Sequence, residues 1–203
     1  MDKRTHILEI AEEMFAHNGF DGTSVRELAK KAEVNLAMIN YYFGSKEKLF
    51  EALIEKKASV MLGRLKSLYE DSSQNAWQKL ESLIELYISR IVENQNYFLI
   101  IQRELLLDQR EQFHQNILRI FEKNQEQIQL LLKDGQDKGF FKKVDPELIS
   151  VTITGTIMQA FKKMTSWGIA FANEDEKKHS MEEMKEKLKT HLFEMLKSYL
   201  QTN

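Results

Sequence analysis

Cysteine is absent from the 203 residues, and proline occurs once. Without cysteine the chain can form neither a disulfide framework nor a thiolate-ligated zinc site. With one proline, eight glycines and abundant Leu, Ile, Lys, Glu and Gln, the sequence carries few turn or strand signals and favours helix. The composition therefore predicts an all-α protein.

Long apolar runs and an excess of one charge are also missing. Purely apolar runs such as Phe98 to Ile101 fall far short of the roughly 20 residues that cross a bilayer. No basic and then apolar segment opens the chain, so the expected location is the cytoplasm. The formal net charge is -2, and residues 1–50 hold seven Lys and Arg against eight Asp and Glu. Any binding of nucleic acid must therefore depend on where individual cations point.

The first 50 residues divide into short helices with clear start and stop signals. Apolar residues at helical spacing predict a first helix over 3–18, which an Asn-Gly pair ends. Ser24, with Glu27 three positions later, is a capping box that opens a second short helix. Asn35 is a polar cap for a third helix over 36–42. Three short helices in this order are typical of a DNA-binding head.

Longer helices with broad apolar faces follow this head. Gly44-Ser45 ends the third helix and caps a fourth that runs to Leu68. Asp145-Pro146-Glu147 combines a capping side chain, a helix-start proline and an acid at the positive helix end. Further helices are predicted near residues 75–93, 96–107, 110–137, 146–171 and 180–201. The chain is thus expected to comprise a DNA-binding domain over 1–48 and a larger helical domain over 49–203.

Residues 24–42 also have the spacing of a helix-turn-helix. This motif needs a small residue where its helices cross, a tight turn four positions later, and apolar residues that fix the second helix. Ala29, Glu33, Val34 and Ile39 occupy those places. Such packing projects the start of the second helix into a DNA major groove about 12 Å wide.

The same region resembles the DNA-binding head of the tetracycline-repressor (TetR) family of transcriptional regulators. The similarity covers about residues 5–55 and rests on Phe15, on GFDGTSVRELA at 19–29, and above all on VNLAMINYYFGSKEKL at 34–49. The alternative is a small helical bundle in which Tyr and Lys are ordinary surface residues. It explains the apolar spacing but not Tyr-Tyr-Phe-Gly-Ser-Lys directly after a capped helix.

Two residues depart from the family pattern. Glu33 stands where the family usually has glycine in the turn, and a left-handed Glu carries a strain on the order of 1 kcal/mol. Tyr42 stands where many relatives have histidine, although a phenol can also donate to a phosphate.

The resemblance implies two kinds of DNA contact. Phosphates would be held by Thr23, Ser24, Tyr41, Tyr42 and Lys46. Base edges would be met by Arg26, Asn35, Leu36, Ala37, Met38 and Asn40.

The resemblance also implies that the domain over 49–203 is a ligand-binding and dimerisation domain. It would bind a small, largely apolar effector and hold two copies of the chain together. One reading helix makes too few base contacts, so two copies would bind a palindromic operator. The dimer is expected to act as a repressor of transcription. The effector would shift the fourth helix and so change the separation of the reading helices. Its wall is expected to include Tyr87, Phe98, Arg103, Phe113, Ile117, Phe121 and Met158. Plain core packing is the alternative for each of them.

The small and apolar residues over 148–170 suit a dimer face. By resemblance this helix and the last one pair with their copies in a four-helix interface, and the last helix carries Leu188, Leu192, Met195, Leu196 and Tyr199 on one side. Completion of the monomer core is the competing interpretation for that last helix.

An enzyme and a protein-binding adaptor are the rival classes. Glu111-x-x-His114 and Glu176-x-x-His179 have the spacing of di-iron helix bundles. The second pair lies in the polar run 173–180, which is predicted to be a loop, and both pairs are interpreted as surface residues. No Gly-rich phosphate loop, nucleophile elbow or HExxH motif occurs, so neither catalysis, a metal nor a cofactor is expected. An adaptor would show little dependence of binding on salt.

Overall fold

Helices make up the fold in the computed structural model, which describes residues 2–105, 111–166 and 174–201. No strand occurs within these ranges, so the predicted all-α class is confirmed. The helices are α1 (Lys3–Asn18), α2 (Val25–Lys31), α3 (Leu36–Phe43), α4 (Lys46–Glu70), α5 (Ala76–Glu93), α6 (Gln95–Leu105), α7 (Glu111–Asp137), α8 (Pro146–Ser166) and α9 (Glu174–Leu200).

The local signals in the sequence mark the helix ends of the head correctly. Gly19 follows α1 with φ 75°, and its N–H donates to Phe15 O at 3.0 Å. Ser24 and Glu27 form the full capping box at the start of α2. The Oδ1 atom of Asn35 accepts from the N–H of Met38 at 2.8 Å and so caps α3. These ends depend on contacts within four residues, which is why the sequence predicts them.

The predicted loop over 173–180 is wrong, because α9 already begins at Glu174. Glu and Lys are good helix formers, and acids in a first turn are favoured by the helix dipole. On this helix His179 lies 3.3 Å from Glu183, one turn further on. This polar run of helix-forming residues therefore belongs to a helix from Glu174 onwards. Trp167, assigned to the preceding helix, lies outside the described residues.

The chain packs as two compact units, called here the first and the second unit. The first unit comprises Met1–Met61 and Asn94–Lys123, and the second comprises Leu62–Glu93 and Asn124–Asn203. Helices α4 and α7 therefore contribute to both. The predicted boundary after residue 48 concerns the division of function, and it stays a prediction.

The core of the first unit is built around three phenylalanines. The ring centroids of Phe15, Phe20 and Phe50 lie 5.2–5.6 Å from one another, and all three side chains are buried. Tyr97 and Ile100 of α6 belong to the same core. Helices α1, α4 and α6 thus form the support against which α2 and α3 pack.

The second unit is held by the packing of α5 against α8 and α9. Its buried apolar residues include Leu80, Leu83, Ile84, Ile88, Ile91, Ile128, Leu131, Leu132, Phe141, Ile149, Ile153, Ile157, Phe161, Leu192, Leu196 and Leu200. Lys189 of α9 pairs with Glu85 of α5 at 2.9 Å, and this hydrogen bond raises the pKa of the lysine. None of the described helices has an apolar stretch that would cross a membrane.

Candidate DNA-binding site

Helices α2 and α3 form a helix-turn-helix whose inner faces are buried. Ala29 of α2 is 5% exposed, whereas Ile39 and Phe43 of α3 are 1% and 6% exposed. The turn between the helices is closed by the N–H of Val34, which donates to Ala29 O at 3.0 Å. Glu33 has φ 51°, the left-handed conformation that its position in the motif predicts. The second helix is thereby held at a fixed angle.

The opposite face of α3 is open to solvent. Leu36 is 38% exposed and Tyr41 is 84% exposed, and Ala37 and Asn40 are exposed beside them. Met38 differs from these residues, because it is half-buried and packs against the core of the first unit. The capping bond uses only the amide oxygen of Asn35, so its amide nitrogen is left for another acceptor.

Tyrosines and two further cations border this open face. The rings of Tyr41 and Tyr42 meet edge to face at 5.3 Å. The guanidinium of Arg4 lies 5.3 Å from the ring of Phe43, and Lys48 is exposed in the first turn of α4. Sequence analysis missed both cations. The sequence does contain a signal for Lys48. It lies two positions after Lys46, and side chains two apart on a helix point in different directions.

The start of α2 is already occupied by its own side chains. The carboxylate of Glu27 accepts from the N–H of Ser24 at 3.3 Å and from its hydroxyl at 2.8 Å. Arg26 is exposed in the same turn. The N-terminus of α2 is therefore stabilised without an external anion.

Thr23 and Lys46 do not have the outward orientation that phosphate contact requires. Thr23 is 1% exposed, and its hydroxyl donates to Gly19 O at 2.8 Å, with Met14 O 3.3 Å away as a second acceptor. The ammonium of Lys46 donates to the carbonyl oxygens of Phe20 and Thr23 at 2.8 and 3.0 Å. Both side chains thus stabilise the turn between α1 and α2, in contrast to the role that the resemblance implied.

An ion pair on the surface joins α1 to α2. Lys31 Nζ lies 2.6 Å from Glu13 Oε1, and this hydrogen bond lowers the pKa of the Glu13 carboxyl. Lys31 is thereby directed towards a carboxylate of its own unit, so it contributes little positive charge to the open face.

The expected effector wall is divided between the two units. Ile117 is fully buried in the core of the first unit, and Phe98 and Phe121 pack against that core. Arg103 is exposed, and its guanidinium donates to Ala16 O at 3.3 Å. Four of the predicted wall residues therefore serve the first unit.

The second unit contains the half-buried Tyr87 of α5 and Met158 of α8. The side chain of Phe113 lies outside the described part of the structure. The same unit has an apolar cavity of about 20 Å³, which sequence analysis did not predict. Its lining comes from α5, α8 and α9 and consists of Ile88, Ile91, Val92, Ile157, Phe161, Met181, Met184, Lys185 and Leu188.

The suspected di-iron pairs are only partly described. His179 is exposed and pairs with Glu183, whereas the side chains of Glu111, His114 and Glu176 lie outside the described residues. Among the side chains that the structure describes, no three His, Asp or Glu residues are grouped so that they could hold a metal ion.

The fold and the open face of α3 define a helix-turn-helix DNA-binding protein with a second, helical domain. Residues 7–53 match the family of bacterial regulatory proteins of the TetR type, and residues 73–167 match the tetracycline-repressor-like C-terminal domain. The chain belongs to the TetR family of transcriptional regulators. Its similarity to the probable transcriptional regulator YttP of Bacillus subtilis is 34% identity over 103 residues, which is 50% of each chain.

Solved structures of similar fold cover nearly the whole chain. The fatty acid degradation regulator FadR of Bacillus halodurans superposes with a TM-score of 0.80 at 19% identity, over 95% of both chains. FadR of Bacillus subtilis in complex with stearoyl-CoA gives a TM-score of 0.77 at 24% identity, over 93% of this chain and 97% of that one. At these identities the similarity shows the fold.

Proposed function

We propose that the protein is a repressor that binds a palindromic operator as a homodimer and is released by a small, largely apolar effector. The open face of α3 is the observation that carries this proposal. Its inner residues fix the helix, whereas small, amide and phenol side chains on the outer face are free of the core. Such side chains match the edges of bases and the thymine methyl group in a major groove.

Direct readout is assigned to the exposed residues of α2 and α3. Arg26, Asn35 and Asn40 carry the donors that recognise guanine or adenine, and Leu36 and Ala37 suit thymine methyl groups. Met38 is half-buried, so a change at this position is expected to disturb packing as well as base preference.

Phosphate contacts are assigned to the side chains that border this face. Tyr41 and Tyr42 supply hydroxyls, and Arg4 and Lys48 supply charge, whereas the hydroxyl of Ser24 is engaged by Glu27. Such contacts position the protein and make its affinity depend on salt.

Selection of bound duplexes from fragmented genomic DNA, followed by affinity measurements at several salt concentrations, tests this proposal. Tyr41→Phe is expected to weaken all duplexes alike, whereas Asn40→Ala should change base preference at one operator position, at a cost of about 1–3 kcal/mol. Tyr69→Phe in the second unit is the matched control and should change neither. A head that binds protein instead would show affinities for DNA that are weak and nearly independent of salt.

The dimer face is assigned to the exposed apolar residues of α8 and α9. Leu148 and Val151 are 64% and 54% exposed, and Met195 and Tyr199 are 37% and 51% exposed. Exposed apolar side chains on neighbouring helices suit a self-complementary interface. Replacement of both Leu148 and Val151 by Glu should give a monomer by sedimentation, with a large loss of operator affinity. Val60→Glu on α4, where the valine is 45% exposed, is the control that should leave the dimer intact.

The effector site is assigned to the packing of α5, α8 and α9 in the second unit. The cavity of about 20 Å³ admits only a water-sized molecule, so an effector must separate these helices in order to bind. Its lining is apolar and includes two methionines, which repack easily. A coupling free energy of about 1–3 kcal/mol between effector and DNA would change operator occupancy severalfold to a hundredfold.

A series of acyl-CoA thioesters is the first panel to test, because a similar fold binds stearoyl-CoA. Release of DNA by long chains but not by free coenzyme A would support the proposal. Ile157→Trp, which overfills the cavity, should retain DNA binding and lose release. Release that persists in this variant would place the effector elsewhere.

A further inference from the structure

Lys46 links the start of α4 to the turn that precedes α2. Its ammonium donates to Phe20 O at 2.8 Å and to Thr23 O at 3.0 Å, and it lies 4.4 Å from the centroid of the Phe20 ring. An ammonium has three donors, and two of them are used by these carbonyl groups.

To turn outward to a phosphate, Lys46 would have to leave both carbonyl groups. Thr23 is 1% exposed, so its carbonyl oxygen would lose a charged partner at a buried residue. A buried polar group left without a partner is destabilising, because nothing compensates for the loss of its contact with water. An exposed contact with phosphate in physiological salt returns less than this loss, so the internal bonds are favoured.

The turn is also held from its other side. The hydroxyl of Thr23 donates to Gly19 O at 2.8 Å, while the N–H of Thr23 donates to Phe20 O at 3.3 Å. These bonds fix the residue directly before Ser24, the cap of α2. Since α2 in turn sets the angle of α3, the position of the reading helix depends on this turn.

We propose that Lys46 is a positioning residue, which sets DNA affinity by fixing the turn between α1 and α2 and does not touch phosphate. This inference rests on the proposed DNA binding. Lys48 offers the comparison, because it is exposed in the same first turn of α4 and lies next to Gly44 at the end of α3. The two lysines have the same chemistry and different surroundings.

The test compares Lys46→Met with Lys48→Met on the tightest duplex recovered from selection. Each phosphate contact contributes about 0.9 to the slope of log affinity against log salt, so a dimer that loses one contact per protomer loses about 1.8. We expect Lys46→Met to weaken binding about tenfold at every salt concentration with an unchanged slope. Lys48→Met should lower the slope by about 1.8. A slope lowered by the same amount in Lys46→Met would overturn the proposal.

Hydrogen exchange of the protein without DNA is the second measurement. Amides of Thr23 and of the first turn of α2 should exchange faster in Lys46→Met and at the wild-type rate in Lys48→Met. Equal rates in all three proteins would also overturn the proposal, whatever happens to DNA affinity.

Lys46→Gln guards against a variant that fails to fold. Glutamine is neutral but can still donate to a carbonyl oxygen, so it should recover part of the affinity with an unchanged slope. Recovery by Lys46→Arg but not by Lys46→Gln, together with a lowered slope in the latter, would point to phosphate contact. If the wild-type protein binds no duplex at low salt, the proposed function is wrong. Hydrogen exchange would then test only whether Lys46 fixes the turn.

Discussion

Replacement of Glu33 by glycine should stabilise the protein, because this residue is held in a left-handed backbone conformation. Its φ is 51°, and it is the one residue other than glycine with positive φ among those described. A side chain with a Cβ pays roughly 1–2 kcal/mol in that region of φ and ψ. Glycine pays nothing there, but its greater freedom in the unfolded chain costs about 0.4–1 kcal/mol. The net gain is therefore about 1 kcal/mol.

This gain should be visible as a higher melting temperature. For a chain of this length, 1 kcal/mol raises Tm by about 2–4 °C. Glu33→Ala is the matched control, because it removes the carboxylate but keeps the Cβ and the strain. Its Tm should stay close to that of the wild type. The N–H of Val34, which donates to Ala29 O across this turn, should exchange more slowly in the glycine variant.

Measurements of DNA affinity distinguish the effect of the Glu33 charge from the effect of its backbone strain. The carboxylate is exposed next to the reading helix, so its removal should raise affinity for DNA equally in both variants. Only the glycine variant should gain stability. The reasoning is refuted if the two variants melt at the same temperature, or if the glycine variant melts below the wild type.

Three further substitutions test individual contacts by thermal unfolding. Gly22→Ala should lower Tm by several degrees, because a Cβ would lie 2.4 Å from Asn18 O, a backbone atom that cannot easily move. Gly135→Ala should have a similar effect in the second unit, since its Cβ would lie 2.3 Å from the buried ring of Phe141. Ser24→Ala removes the cap of α2 and should cost about 1 kcal/mol.

Two substitutions in α4 are controls for the changes in Tm expected from these three substitutions. Gly63→Ala lies in α4 where a Cβ would meet nothing within 4 Å, so it should raise Tm slightly through helix propensity. Ser59→Ala lies in the same helix and caps nothing, so it should leave Tm nearly unchanged. If neither Gly22→Ala nor Gly135→Ala melts below the wild type, the close contacts are contradicted.

The sequence predicted the parts of the fold that depend on near neighbours. The caps at Ser24 and Asn35 and the stop at Gly19 each involve residues within four positions, so their chemistry is visible in order along the chain. The start of α9 was missed because a polar run was taken as a loop, although Glu and Lys favour helix. The grouping of α6 with the head was not predicted, since it depends on contacts between residues such as Phe20 and Glu104, which are 84 positions apart.

Thr23 and Lys46 show why motif residues alone do not determine their contacts. A hydroxyl and an ammonium donate equally well to a phosphate oxygen or to a backbone carbonyl oxygen, so the residue type is the same in both cases. The choice depends on which oxygen is nearer and less solvated, and here the carbonyl groups of Phe20 and Thr23 are within 3.0 Å of the ammonium. Because Lys46 is also the first residue of α4, the start of α4 and the turn before α2 are bonded to each other. If effector binding displaces α4, the displacement would then reach α2 through these two hydrogen bonds, and Lys46→Met should weaken the response to effector as well as the affinity for DNA.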